Sequence, residues 1–277
     1  YRIPRAEARD RTTTQTTWPR GMSFSIATWN VNSLRVRLPH LADWLGANSI
    51  DIVALQETKL PDDGFPHDEI SAMGYQAVVS GQKTYNGVAL LTRTAVTDVI
   101  TDIPGFEDPQ RRVLAATVGA TRVVNLYVPN GQAVGAEKFV YKLRWLAALH
   151  AWLAAEVQRY PSLVVLGDFN IAPADADVHD PAAWEGQNLV SEPERAALQS
   201  LLALGLVDVF RRFEQPPQLF SWWDYRQAGF RRNRCLRIDL IIASEALAAR
   251  CRSRSIDVEP RRAERPSDHT PVIAHFD

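Results

Sequence analysis

At 277 residues, 46% of them hydrophobic, the chain can bury a full core without disulfides or a partner. Charged residues at 23%, with 14 glycines and 17 prolines, exclude collagen-like, disordered and low-complexity classes. A formal net charge of −1 gives no global signal for a polyanion, so any phosphate contact has to come from local arginine clusters at 231–237, 250–254 and 261–265.

Cys235 and Cys251 form no CxxC pattern, which excludes a disulfide framework and a cysteine-type zinc site. A reducing compartment, the cytoplasm, is the expected location. No apolar run approaches the length of a membrane span, and no signal-peptide core is visible. Residues 1–21 are rich in Arg and Thr and lack apolar periodicity. They read as an N-terminal extension, disordered or added ahead of a start at Met22. Residues 22–277 read as one domain, because no Pro-, Ser- or Gly-rich linker divides them.

Ser25–Asn30 alternates as a strand, and a helix around Pro39–Gly46 puts Leu38, Leu41 and Leu45 on one face. Ile50–Gln56 reads as a buried strand, followed by strands at Tyr75–Ser80 and Val88–Thr92. Val113–Val118 and Arg122–Tyr127 form a hairpin pattern around Gly119-Ala120. A long helix over Glu137–Tyr160 aligns Phe139, Leu143, Leu146, Leu149, Leu153 and Val157. Leu163–Leu166 is an apolar strand ending at Gly167, and Ser191 with Glu194 makes a capping-box signature for a helix through Leu204. Arg237–Ala243 and Val272–Phe276 are the last two strands, with a short helix near Glu245–Arg250. The pattern is an α/β domain of two similar halves.

One device recurs: a strand stops and presents a polar side chain at its end. It occurs at Asn30, at Gln56-Glu57, at Asp168-Phe169-Asn170 and at Asp239, and Asp268-His269 precedes the final strand. Strand ends are where α/β architectures bind ligands. Each site alone is also what a turn requires, since Asp and Asn side chains bond nearby backbone; five together, with one His, call for a chemical reading. The set lacks a His-rich helix, a phosphate-binding glycine loop and a serine elbow. Carboxylates such as Glu57 and Asp268 suit a hard cation. A metal, an acid or base and water-positioning amides are the parts of phosphodiester hydrolysis.

The motifs Trp29-Asn30-Val31-Asn32, Gln56-Glu57-Thr58-Lys59, Tyr127-Val128-Pro129-Asn130-Gly131, Gly167-Asp168-Phe169-Asn170, Ser221–Arg226, Leu236-Arg237-Ile238-Asp239 and Ser267-Asp268-His269 resemble, in order, the exonuclease III / apurinic endonuclease family of DNA repair enzymes. The resemblance covers essentially everything after Met22. It implies a four-layer α/β sandwich, two central mixed β-sheets flanked by helices, with the site at one edge. It also implies Mg²⁺, with Mn²⁺ as a substitute, and duplex DNA carrying abasic sites or 3′ ends as substrate of a monomeric enzyme.

By that likeness Glu57 is the principal metal ligand, with Asn30 and Asp268 close by and Asp168 and Asn170 sharing the metal's surroundings. Asp168 would activate or orient the attacking water, Asn170 would hold it, and Asp239 would fix the tautomer of His269, which faces the phosphate. Tyr127 would approach the phosphate or the leaving oxygen; whether it or Asp168 is the decisive proton-transfer group stays open. Trp222, Leu236 and Ile238 would form a small apolar pocket for a sugar without a base, which flips out cheaply because it has no stacking to lose. Lys83, Tyr85, Asn86, Asn130, Lys142, Trp223 and Arg237 would contact DNA. His179, where some relatives carry a smaller residue, would narrow the pocket and favour 3′-end processing over internal abasic cleavage.

Two other readings compete. Relatives of the same fold hydrolyse inositol phosphates or sphingomyelin, or cut DNA without specificity; the Ser221–Arg226 and Leu236–Asp239 motifs favour the repair branch. A non-catalytic DNA-binding protein would have lost a metal- or water-handling residue, and none is missing.

Overall fold

The structure, a computed structural model, describes residues 23–277 apart from Gln215 and Pro217. The expected extension over residues 1–21, and Met22, lie outside the described residues.

Two six-stranded sheets lie face to face. The first runs, in spatial order, Cys251–Ile256, Val272–Phe276, Phe24–Asn30, Ile52–Gln56, Val88–Thr92 and Gln76–Ser80. The second runs Val96–Ile100, Val113–Val118, Thr121–Tyr127, Leu163–Asp168, Asp239–Ser244 and Leu206–Asp208. Each contains one parallel pair, Phe24–Asn30 with Ile52–Gln56 and Thr121–Tyr127 with Leu163–Asp168. An antiparallel strand borders each pair: Val272–Phe276 in one sheet and Asp239–Ser244 in the other.

The central strands are buried on both faces, which is why they read as continuous apolar runs. Ile26, Ile52, Ala54 and Leu90 meet Leu114, Val123, Val164, Leu166 and Ile241 between the sheets. On the outer face of the first sheet, Ala27, Trp29, Val53 and Leu55 pack with Leu34, Leu41 and Leu45 of the helix Leu34–Ala47. On the outer face of the second, Val124, Leu126, Val165 and Ile242 pack with Leu146, Leu149 and Leu153 of Glu137–Arg159, and with Leu198 and Leu201 of Glu192–Leu202. Each fully buried aliphatic side chain contributes about 1.5–3 kcal/mol. The order is helix, sheet, sheet, helix, the four-layer sandwich that the resemblance implied.

The sequence reading placed the first helix too late, at Pro39. In the structure Pro39 lies inside Leu34–Ala47, where the burial of Leu34 and Leu41 outweighs the one hydrogen bond that proline cannot donate. Among the strands of the two large sheets, the three-residue Leu206–Asp208 went unread, as did Val96–Ile100 and Cys251–Ile256. All are sheet edges, one very short and the other two polar and largely exposed, so the apolar signal is weak there.

Candidate active site

Register explains why dispersed polar residues meet. In each sheet two parallel strands stop at the same level, and the antiparallel strand beside them starts there. Asn30 pairs with Gln56, one residue before Glu57, and Tyr127 pairs with Asp168. Asp239 opens its strand opposite Asp168, and Asp268 and His269 immediately precede the strand that begins at Val272. Polar ends from both sheets therefore converge on one edge of the sandwich.

Asn30 joins the halves, its Nδ2 donating to Glu57 Oε1 and to Asp168 Oδ2, each at 2.9 Å. The Tyr127 hydroxyl donates to Glu57 Oε1 at 2.9 Å. Asp168 Oδ1 accepts the Asn170 backbone N–H at 2.9 Å, and His269 Nε2 lies 3.7 Å from Asp168 Oδ2. The other ring nitrogen, Nδ1, is 2.9 Å from Asp239 Oδ2. Asp268 accepts from Asn32 Nδ2 at 2.9 Å and from the Trp222 indole N–H at 3.1 Å. Asn130 Nδ2 donates to Asn170 Oδ1 at 3.0 Å, and Asn170 Nδ2 to Val128 O at 3.0 Å.

Burial raises the Asp168 carboxyl above the usual carboxylate range; the His269 charge opposes this and Asp239 reinforces it. Burial alone would discharge His269, but Asp239 and Asp168 more than offset it and hold the ring's pKa well above the ordinary value. For Glu57, burial is outweighed by the Lys59 ammonium and the Asn30 amide, so its carboxyl stays below the ordinary value. Burial, then the Glu57 charge, pushes the Tyr127 phenol well up, so it keeps its proton. A proton-accepting carboxylate and a proton-bearing imidazole thus stand side by side.

The donor set fits a hard divalent cation. Glu57, Asp168 and Asp268 offer carboxylate oxygens, which suit Mg²⁺ better than a soft metal. Asp168, Asp239 and His269 bring potential ligand atoms within 4.8 Å of one another. Asp239 and His269 are hydrogen-bonded to each other, Glu57 accepts from Asn30 and Tyr127 and pairs with Lys59, and Asp268 accepts from Asn32 and Trp222. Asn30 turns its amide nitrogen to the carboxylates while its Oδ1 accepts the Asn32 N–H, so it stands here as a spacer between Glu57 and Asp168.

Several residues expected at DNA lie elsewhere. Lys142 is fully buried, paired with Glu194 and bonded to the carbonyls of Asn130 and Asn170. Arg237 is fully buried between Asp177 and Asp208. Trp223 is buried edge-on to Phe230, with its indole N–H on Asn233. The reason is common to all three: each side chain finds its partners inside the fold, so none is free to reach a phosphate. Asn86 is buried as well and braces its loop through Gln82 and Gln110, whereas Tyr85 is 68% exposed and Lys83 is exposed.

Leu236 and Ile238 are buried beneath Trp222 in a cluster with Val178 and Val190. The open cleft of about 440 Å³ beside them is walled by His179, Trp184, Trp222, Arg226 and Arg234. His179 is fixed by the Cys235 N–H on its Nδ1 at 3.0 Å and stands edge-on to Trp184, which is edge-on to Trp222.

Sequence reasoning overlooked Asn32, Lys59 and Arg112. Lys59 Nζ is 2.9 Å from Glu57 Oε2 and donates to Asn32 Oδ1 at 2.5 Å. Both lie inside motifs already singled out, so the signal was present. Arg112 carries its guanidinium 4.6 Å over the Tyr127 ring and donates to the Tyr127 carbonyl. No local pattern marks it, because its role comes from packing.

Comparison with known proteins places this geometry. The profile of the endonuclease/exonuclease/phosphatase family matches residues 27–269. Exodeoxyribonuclease III of Haemophilus influenzae is 36% identical, over 90% of this chain and 98% of its own. The 3′ phosphatase NExo from Neisseria, solved bound to a product DNA hairpin, superposes with a TM-score of 0.90 at 49% identity, over 92% of this chain and 99% of that one. An AP endonuclease from Archaeoglobus fulgidus superposes with a TM-score of 0.88 at 38% identity, over 92% and 99%.

Proposed function

Because the chain belongs to the endonuclease/exonuclease/phosphatase family and is a DNA repair phosphodiesterase of the exonuclease III type, we propose that its principal substrate is a 3′ terminus of duplex DNA, and that it works with Mg²⁺, Mn²⁺ substituting. The observation that carries the preference for 3′ ends is the aromatic wall His179–Trp184–Trp222 beside the catalytic edge, which narrows the cleft an internal abasic sugar would enter. The 49% identical Neisseria protein is described as a 3′ phosphatase, which points the same way.

Glu57 and Asp268 would hold the cation, which when bound polarises the phosphoryl oxygens and stabilises the leaving oxygen. Asp168, kept basic by burial and fixed by the Asn30 amide and the Asn170 N–H, takes a proton from the attacking water. Asp239 accepts from His269 Nδ1, which leaves Nε2–H to donate to a phosphoryl oxygen as charge builds there. Tyr127, holding its proton against Glu57, is a second donor at the same edge. On this reading Trp222 presents the wall against which a terminal sugar rests, and Lys83, Tyr85 and Asn130 meet the backbone on the far side.

Duplexes bearing a 3′-phosphate, a recessed 3′ end or an internal abasic analogue, each assayed in Mg²⁺ and in EDTA, test the proposal. All turnover is expected to vanish in EDTA and return with Mg²⁺. The 3′-phosphate is expected to outpace the abasic analogue, and His179→Gly to narrow that gap at least tenfold. Equal rates on both substrates, unchanged by His179→Gly, would rule out the preference.

A further inference from the structure

The misplaced lysine leads to a role of its own. Lys142 points inward from Glu137–Arg159, and each of its three N–H donors has an acceptor: Glu194, the Asn130 carbonyl at 3.2 Å and the Asn170 carbonyl at 2.7 Å. Glu194, equally buried, accepts in addition from the Ser191 and Leu189 backbone N–H groups, both at 3.1 Å, and from the Ser191 hydroxyl at 2.5 Å. One ion pair therefore ties together three loops: the one carrying Asn130, the one carrying Asn170 just after Asp168, and the one at 189–191.

Two features show that these loops are shaped around the pair. Asn170 has φ of +49°, a left-handed turn that asparagine adopts more readily than most residues, and of the two carbonyls its own is the one that Lys142 holds more closely. Gly131 has φ of +92°, and a Cβ there would lie 3.1 Å from Lys142 Cδ and 2.7 Å from Asn188 Oδ1. The loop after Asn130 thus rests on the lysine stem. Asn188 completes the clamp by donating to the Asn130 carbonyl at 2.8 Å.

We propose that Lys142 and Glu194 are positioning residues: from behind the site they fix the backbone of Asn130 and Asn170, and through Asn170 the N–H that orients Asp168. A buried ion pair is weak evidence of net stability, since hydration lost by both charges offsets their attraction. Its consequence here is geometric. The ammonium supplies divergent donors to two carbonyls on different loops, which a planar guanidinium does not reproduce. The inference rests on the hydrolytic reading above for its effect on rate, but not for its effect on the loops.

The double variant Lys142→Met/Glu194→Gln removes both charges together and keeps an amide oxygen for one of the two N–H groups, at 189 and 191, that Glu194 meets with separate oxygens. Its kcat on a 3′-phosphate duplex is expected to fall at least tenfold with KM within threefold, at a temperature well below its Tm. Amide exchange at 128–131 and 168–172 is expected to quicken. A lowered Tm with kcat and exchange unchanged would overturn the proposal, as the pair would then be structural only. Should the double variant not fold, Lys142→Arg keeps the charge and gives the same reading: lower kcat supports the proposal and wild-type kcat overturns it. If the unmodified protein hydrolyses no DNA, the functional reading fails; the exchange comparison then decides alone, and unchanged protection overturns the positioning role.

Discussion

Asp239 and His269 show most directly how one side chain sets the chemistry of another. On the proposed mechanism, the carboxylate at 2.9 Å from Nδ1 orients the ring and helps hold its charge, so that Nε2–H faces the phosphate. Asp239→Asn keeps the shape but removes the charge that orients the ring and holds its proton. A loss of roughly 10²–10⁴-fold in kcat is expected, with Tm little changed, by the usual scale of general acid–base catalysis. Glu57→Gln removes a carboxylate that receives the Asn30 amide, the Tyr127 hydroxyl and the Lys59 ammonium. Its variant is expected to need far more Mg²⁺ for half-maximal rate, which a titration of activity against Mg²⁺ measures; an unchanged requirement would remove Glu57 from the metal's neighbours. These residues were legible in the sequence because each sits at the end of an apolar run. Lys142 and Arg237 were misread, since nothing local distinguishes a charge facing a phosphate from one facing a buried carboxylate.

Among the elements, the close parallel pair Thr121–Tyr127 and Leu163–Asp168 governs how Tyr127 and Asp168 stand together. Gly167 has φ of +144°, and a Cβ there would run into the Leu126 carbonyl on the neighbouring strand. Gly167→Ala is expected to push the strands apart one residue from Asp168, lowering both Tm and kcat; thermal melts and the phosphatase assay measure the two. A second element-level device joins the sheets near the same edge. Gln56 donates to Thr28 Oγ1 and Asn125 Oδ1, and Asn125 donates to the carbonyls of Leu55 and Ala89. Asn125→Leu strands buried polar groups and is expected to cost about 1–3 kcal/mol for each one left unpaired, read by urea unfolding. The glycine was visible in the sequence, but the reason for it lies in a strand some forty residues away.

At the scale of the whole molecule, the sandwich brings its two halves together with a near-neutral net charge. On the proposed function, affinity for DNA would come from exposed cations such as Lys83 and Lys138, with Arg226 at the cleft paired to Asp224. Each phosphate neutralised contributes a slope of about −0.9 to log K against log salt. Lys83→Ala is expected to make that slope shallower by about one unit in an anisotropy titration, with kcat at saturating DNA unchanged. Among the described residues no helix is long and apolar enough to cross a membrane.

By itself the sequence determined the alternation of strands and helices, the polar residues at strand ends and the family they match, because periodicity and motif order are local properties. The sheet pairing, the register that sets Asn30, Tyr127, Asp168 and Asp239 at one level, and the inward turn of Lys142, Trp223 and Arg237 were decided only by tertiary structure. The physical reason is that a charged or amide side chain takes its role from what surrounds it, and those surroundings are assembled from segments far apart in the chain.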